Sequence, residues 1–361
     1  MATHSDQREP AVIIKRYPFM MEIILNRPGA INALTTQMIL RIRQALDEAT
    51  EEDQYQFVLL LGTGNRGFCA GGDLKRLAKA VKEKSFPVAD EFFQEEYGLD
   101  LFIHRFSKPV IVIADGITMG GGLGLSAGAN IVIATEQTLM AMPETRIGFF
   151  PDVGATGWMF TKCPRGYPEY LGLVGYEMEG AECMRLGLAN SLTKRRQLPR
   201  LRKTLQSFPK KLTDEKAKAV GHLKSYLASF FHKDIPVNPE MDAWVATHFS
   251  GKTSIREIMN SLSQCSREDR LCQDVYHRLS ERSPTALVLT LTLLRHNERR
   301  PLEQVFGAET SAARFIIRHP DYLEGIRARI LDKDDQPHWQ PATMEEVTLP
   351  EAELFTEKTN F

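Results

Sequence analysis

Cysteine is scarce: five occur in 361 residues (Cys69, Cys163, Cys183, Cys265 and Cys272), an odd number with no CxxC pair. Such sparse usage suggests neither a disulfide framework nor a zinc site, and it fits a reducing compartment. Long apolar runs are also lacking, and none approaches the roughly 20 residues that cross a bilayer, so no membrane role is expected. Neither sign of charge is in excess, with 45 Lys and Arg against 46 Asp and Glu. A net charge of -1 argues against nucleic acid as a partner. The one dense basic run, KRRQLPRLRK at Lys194 to Lys203, reads as a solvated helix face or linker. The opening MATHSDQREP is polar and carries Asp6 and Glu9, unlike a secretory signal or an Arg-rich transit peptide. The expected compartment is therefore the cytoplasm, with the mitochondrial matrix as the alternative if a transit peptide was removed.

The chain does contain an ordinary globular mixture, 43% hydrophobic and 25% charged, at a length that allows one large domain with an appendage. Short β-type runs at Val12 to Lys15, Met20 to Leu25, Phe57 to Leu61, Val110 to Ala114 and Ile131 to Ala134 alternate with helical stretches. Thr35 can cap a helix whose apolar positions Met38, Ile39, Ile42, Ala45, Leu46 and Ala49 follow the helical period, and Asp73 opens another. This alternation predicts an α/β fold with parallel pairing. After about Leu198 the β runs cease. The expected organisation is a core over 1–200, a helical C-terminal region over 201–331 and an extended tail over 332–361, the tail carrying Pro337, Pro341 and Pro350.

Two motifs are read as decoys. Gly62 to Gly67 spells GxGxxG after a β run, but five residues, Phe68 to Gly72, intervene before a helix can begin, so a dinucleotide-binding turn is disfavoured. Gly124 to Gly128 spells GxSxG, yet its β run ends well upstream and another β run follows, so Ser126 reads as a small packed residue rather than a nucleophile. The third constellation is a pair of glycine-rich β-to-helix junctions, Phe68 to Leu74 and Asp115 to Gly122. Glycine permits close backbone approach, and helix N-termini present unpaired N–H groups, so two such junctions facing one carbonyl would stabilise an oxyanion. Tight turns and close helix packing would account for the same glycines equally well.

These residues, with Asn26-Arg27-Pro28, Asn32-Ala33-Leu34, FCAGGDL at Phe68 to Leu74, FFQEEY at Phe92 to Tyr97, GITMGGGLGLS at Gly116 to Ser126, AMPETRIGFFPDVG at Ala141 to Gly154, SPTAL at Ser283 to Leu287 and EGIRARILDKDDQPHW at Glu324 to Trp339, occur in an order that resembles the crotonase (enoyl-CoA hydratase/isomerase) superfamily and, within it, the 3-hydroxyisobutyryl-CoA hydrolase branch. The resemblance covers nearly the whole chain. It implies a spiral of β-β-α units with a helical C-terminal region, and an oxyanion hole formed by the N–H groups of Ala70 and Gly121. It also implies contacts from Ala70, Gly71, Gly72, Asp73, Leu74, Gly120 and Gly121 to an acyl-CoA substrate, whose coenzyme A is part of the substrate, with no separate cofactor and no metal. The position matching Gly124 often carries a glutamate that a hydratase needs. Glu144 matches the second acid of that pair, Asp152 the extra carboxylate of the hydrolase branch, and Glu96 a further substrate-contacting position.

The resemblance therefore implies a thioester hydrolase with Glu144 as nucleophile or general base and Asp152 orienting water or the substrate's 3-hydroxyl, the acyl group being most simply 3-hydroxyisobutyryl from valine breakdown. A hydratase or isomerase on the same scaffold, and a non-catalytic acyl-CoA binding protein, are the alternatives. Arg146 departs from the branch, which usually has a small or apolar residue there, and is either solvent-facing or a modifier of the acyl pocket. His104 and His277 read as structural or surface residues. Crotonase-type domains commonly form trimers or hexamers, so a homo-oligomer is expected.

Overall fold

The computed structural model describes residues 9–355 except Lys210, Lys233 and Arg267, so the last residues of the expected tail, 356–361, lie outside the described part. Among the described residues, ten strands form two sheets. The larger contains β1 (Val12–Arg16), β2 (Met20–Leu25), β3 (Phe57–Gly62), β5 (Val110–Ala114), β7 (Ile131–Thr135) and β10 (Ser191–Thr193), in the order β1-β2-β3-β5-β7-β10. In it only β1 and β2 pair antiparallel; the other neighbours are parallel. The smaller sheet orders β4 (Gly67–Cys69), β6 (Ile117–Met119), β8 (Leu139–Ala141) and β9 (Met178–Glu179). Each repeat thus places one strand in each sheet before turning into helix: β3 and β4, then β5 and β6, then β7 and β8. This is the β-β-α spiral of the crotonase fold. The five runs expected from composition are the wide-sheet strands; the three-residue partners are too short, and in β4 too glycine-bearing, to show a period.

The period-2 alternation of β3 divides it between two cores. Val58 and Leu60 face the main core, whereas Phe57, Leu59 and Leu61 join Ile111, Ile113, Ile131 and Ile133 on the opposite face. Leu201, Leu205, Leu223 and Leu227, from the helices Leu198–Gln206 and Lys216–Tyr226 and the residue that follows them, cover that face, each contributing about 1.5–3 kcal/mol by burial. The basic run beside them is tied down: Arg202 pairs in bidentate fashion with the fully buried Glu22 at 2.6 and 2.7 Å, and Arg195 with Asp115 at 2.9 Å.

Helix α1 (Thr36–Glu51) is capped by Thr35, whose hydroxyl accepts from Met38 N, and α2 (Leu74–Lys82) by Asp73, which accepts from Arg76 N. Helix α3 (Phe86–Arg105) and α4 (Gly121–Ala127) complete the site-bearing part. The later helices Pro284–Asn297, Leu302–Ile316 and Pro320–Ile326 share the main core with α3 and the wide sheet. Beyond them a π-helical turn, Arg327–Leu331, leads into a tail that is mostly extended but interrupted by the helical turns Met344–Glu346 and Glu351–Leu354. The tail is strapped down, with Gln340 N donating to Asp321 at 2.7 Å and the Trp339 indole to Glu281 O at 3.0 Å. Contrary to expectation, a disulfide joins Cys265 to Cys272. The two stand 7 positions apart, so no CxxC spacing announced it. Among the described residues, no helix is long and apolar enough to cross a membrane.

Candidate active site

The decoys resolve as expected. Gly62 ends β3 and Gly67 begins β4, so the GxGxxG segment is a strand-to-strand turn. Ser126 lies inside α4, fully buried, and donates to Leu123 O at 2.9 Å.

The first glycine-rich junction is held from below by the Asn26-Arg27-Pro28 and Asn32-Ala33-Leu34 segments. The buried amide of Asn32 donates to the carbonyls of Thr63, Gly67 and Phe68 at 3.0–3.2 Å, and Arg27 bridges Ala33 O and the Asp73 carboxylate. Three backbone bonds then fix the loop edge: Ala70 N to Ile31 O at 3.0 Å, Leu34 N to Gly71 O at 2.8 Å, and Asp73 N to Leu34 O at 2.9 Å. The expected role of Ala70 is thereby corrected. Its N–H is already donated to Ile31, whereas those of Gly72 and Gly121 have no intramolecular acceptor among the described residues. Gly71, at φ +93°, packs against the second junction, and a methyl placed there would lie 3.3 Å from Gly121 N. The free donors are therefore those of Gly72 and of Gly121, the first residue of α4.

Both open onto a cavity of about 290 Å³. Ala70, Gly71, Gly72, Leu74, Gly120 and Gly121 line it with Glu96, Glu144 and Asp152, so nine of the ten expected site residues converge there; Asp73 instead caps α2 and pairs with Arg27. The wall also includes Phe92, Phe93 and Phe149, and Tyr322, Arg329 and Ile330 of the C-terminal region. Those last residues were not anticipated, because nothing local marks them as facing a site so far upstream in the chain.

The carboxylates are crowded and dry. Glu144, opening the 3-10 turn Glu144–Ile147, has its Oε2 buried without a partner. Burial, then the Asp152 charge, pushes its pKa well above the usual carboxylate range. Glu96 on α3 has an unpartnered Oε1 and is shifted upward for the same two reasons. Asp152 accepts from the Tyr97 hydroxyl at 2.8 Å, but burial still lifts it to about 7. The glycines next to them leave room for these carboxylates: a methyl at Gly121 would displace Glu96 Oε1, and one at Gly120, which also holds φ +50°, would lie 2.9 Å from Glu144 Oε1.

Two further acids were missed. Asp100, one turn beyond Glu96, is fully buried with both oxygens unpartnered, and burial followed by the Glu96 and Asp152 charges raises its pKa. It fills the space into which Gly124 would project, so a side chain at 124 would meet Asp100 Oδ2 at 2.5 Å and Val153 Cβ at 2.7 Å. Glu309 accepts from Gly154 N at 2.6 Å, Thr156 N at 3.1 Å and Thr156 Oγ1 at 2.5 Å, and burial raises it to about 8. It braces the turn after Asp152, where Val153 holds φ +55°, a strained value for a β-branched residue, and so restrains the carboxylate that precedes it.

Arg146 is half-exposed at the cavity mouth, 3.5 Å from Asp335, which also pairs with Arg329 at 2.7 Å. Its position is thus both solvent-facing and pocket-lining. His104 is largely buried against Phe306 and pushed down to about 4 by burial, while His277 is exposed beside Glu281. Neither lines the cavity.

The enoyl-CoA hydratase/isomerase family profile matches residues 20–355. The mitochondrial 3-hydroxyisobutyryl-CoA hydrolase of Gallus gallus is 35% identical over 333 residues, covering 90% of this chain and 83% of that protein. Its Homo sapiens counterpart is 33% identical over 348 residues, covering 96% and 88%. Among solved structures, a carnitinyl-CoA dehydratase from Mycobacterium thermoresistibile superimposes with a TM-score of 0.84 at 30% identity, covering 96% of this chain and 97% of that one. An enoyl-CoA hydratase from Rhodobacter sphaeroides 2.4.1 gives 0.83 at 29%, with the same coverage. With the profile spanning the core and the C-terminal wall alike, the chain belongs to the enoyl-CoA hydratase/isomerase family.

Proposed function

We propose that the protein hydrolyses a short 3-hydroxyacyl-CoA thioester, most simply 3-hydroxyisobutyryl-CoA, to the free hydroxy acid and coenzyme A. The observation that carries this reading is the pairing of two free backbone donors, Gly72 N–H and Gly121 N–H, with Glu144 and Asp152, at a site where Asp100 and Val153 occupy the room a glutamate at 124 would need. Glu144 attacks the thioester carbonyl, directly or through a water it deprotonates. The carbonyl electrons move onto oxygen, where each N–H contributes roughly 3–4 kcal/mol of transition-state stabilisation. Collapse breaks the C–S bond, and the thiolate leaves with a proton from the acid cluster; on the direct route the acyl-Glu144 anhydride that remains is then cleaved by water, which releases the hydroxy acid and returns the Glu144 carboxylate. Asp152, held by Tyr97, orients the water or the 3-hydroxyl, and Glu96 takes the other polar end of the acyl group. Ala70, Gly71, Leu74 and Gly120 shape the acyl-CoA cleft. The names of the hydrolases from Gallus gallus and Homo sapiens support this choice.

In this reading no cofactor beyond the substrate's own coenzyme A takes part, the partner is a small molecule, and the chain self-associates as family members commonly do. The relatives' names say mitochondrial, which favours the matrix alternative over the cytoplasm expected from the sequence. The second reading is a hydratase or dehydratase, favoured by the names of the solved relatives. The test is thiol release from 3-hydroxyisobutyryl-CoA, 3-hydroxypropionyl-CoA and crotonyl-CoA. Release from the hydroxyacyl substrates, abolished by Glu144→Gln, supports the hydrolase. Hydration of crotonyl-CoA without thiol release overturns it, and tight acyl-CoA binding without turnover assigns a binding role.

A further inference from the structure

Away from the acyl pocket, three helices bring the two disulfide-bonded sulfurs and an imidazole together. His248 ends the helix Pro239–His248, Cys265 follows Ile255–Ser263, and Cys272 lies in the first turn of Arg270–Ser280. The His248 Nε2 atom stands 3.8 Å from Cys265 Sγ and 3.9 Å from Cys272 Sγ. These three ligand atoms all lie within 4.8 Å of one another. The ring is oriented by its other nitrogen, with Nδ1 2.8 Å from Ser261 Oγ, and by Trp244, whose ring centroid is 4.8 Å away. If Nδ1–H donates to Ser261, the Nε2 lone pair faces the sulfurs. That is how an outer hydrogen bond sets the tautomer of a metal-binding histidine. Beside them, Asp269 Oδ2 is 3.4 Å from Cys272 Sγ while its Oδ1 caps the helix at Cys272 N.

We propose that, with the Cys265–Cys272 disulfide reduced, this cluster is a binding site for a soft divalent cation of the Zn²⁺ class, with Cys265, Cys272 and His248 as ligands and Asp269 as the adjacent fourth donor. The geometry is nearly in place. A tetrahedral ion with Zn–S bonds of about 2.3 Å and a Zn–N bond of about 2.0 Å requires N···S edges of roughly 3.6 Å and an S···S edge of roughly 3.7 Å. The two N···S edges are within a few tenths of an ångström of this; the sulfurs must part, and Asp269, which lies outside the close group of three, must turn inward. Reduction by a dithiol supplies two electrons and two protons, giving two thiols and leaving the reductant as its own disulfide. The cation then displaces both thiol protons, which are released to solvent. Disulfide and metal are thus mutually exclusive states of one cluster that ties the helices together, and neither touches the acyl pocket lining.

The test uses the full-length protein stripped of metal, in a reductant that does not chelate, titrated with Zn²⁺ against a chromogenic chelator and with Co²⁺ by absorption. The expected result is one equivalent per chain, with thiolate-to-Co²⁺ charge-transfer absorption that falls by about half in Cys265→Ser, and no binding by the oxidised protein. Outer-shell contacts alone change metal affinity by about 10–100-fold, so loss of either thiolate should cost more than ~100-fold and Ser261→Ala about tenfold. Cys265 is the more exposed of the two cysteines, so Cys265→Ser is the variant least able to disturb folding, and its thermal unfolding in the metal-free state is the control. Stoichiometric binding that persists in the Cys265→Ser, Cys272→Ser double variant, or reduced wild type that binds no more tightly than that variant, overturns the proposal.

Discussion

Two sets of buried carboxylates can be compared within this one chain. Glu22 on β2 is fully buried and completely answered: Arg202 grips both oxygens, and Gln206 adds a third donor at 3.3 Å. Glu96, Asp100, Glu144 and Asp152 are also buried, yet no arginine or lysine pairs with any of them among the described residues, and four of their oxygens have no partner. Burying a charge costs several kcal/mol unless it is paired, so the first group is folded around its counter-ion while the second survives by holding protons. Unpaired acids beside unused N–H donors are poor structural elements and useful chemical ones.

Removing the acid expected to attack sharpens the contrast most. Glu144→Gln should lower turnover by about 10³-fold or more, in the range ascribed to general-base or nucleophilic groups, while acyl-CoA binding persists and the melting temperature holds or rises. Thiol-release kinetics with calorimetry would check both halves; a large loss of stability would make Glu144 a structural residue and break the comparison.

The opposite pattern is expected at the paired site. Arg202→Met leaves Glu22 buried without its counter-ion and with only the Gln206 amide as a side-chain donor, at a cost of about 3 kcal/mol in stability, with turnover at saturating substrate nearly unchanged. Denaturant unfolding at pH 7 measures it, and no loss would mean that the ion pair does not hold the helix Leu198–Gln206 against the sheet.

The unpaired acids also differ in how visibly the sequence marks them. Glu96, Glu144 and Asp152 were legible because each sits in a local segment that can be matched by eye. Asp100 and Glu309 were not, since what distinguishes them is a missing partner and a contact to Gly154 made 155 residues away. The same limit applies to the proposed oxyanion donor: FCAGGDL offers several N–H groups, and the Ile31 carbonyl, supplied by an upstream loop, engages that of Ala70. Long β runs were readable from apolar alternation, whereas β4, β6 and β8 have three residues each and owe their existence to the strands beside them.

Because the pocket acids titrate high, stability and activity should respond to pH in opposite directions. Asp152 at about 7 and Glu309 at about 8 bind protons in the folded state that the unfolded chain has already released. The folded state therefore loses stability as pH rises from about 4, where the unfolded groups ionise, through the folded values, by on the order of 1 kcal/mol or more per group. Turnover needs an ionised acid and should rise across the same upper range. Asp152→Asn should flatten the stability slope between about pH 5 and 8, and an unchanged slope would place the titration elsewhere.

Glu309→Gln carries the smallest effect and separates the supporting acid from the reacting ones. Glutamine keeps one oxygen for the Gly154 and Thr156 donors but loses the second, so the turn holding Val153 at φ +55° relaxes and Asp152 is aimed less well. A drop in kcat of about tenfold with KM within about twofold is expected, together with a downward move of the pH limb over which turnover rises, because the Glu309 charge that helps to raise Glu144 has been removed. A fall in stability with kcat and the pH limb untouched would assign Glu309 to the same class as Glu22, a carboxylate retained for the fold.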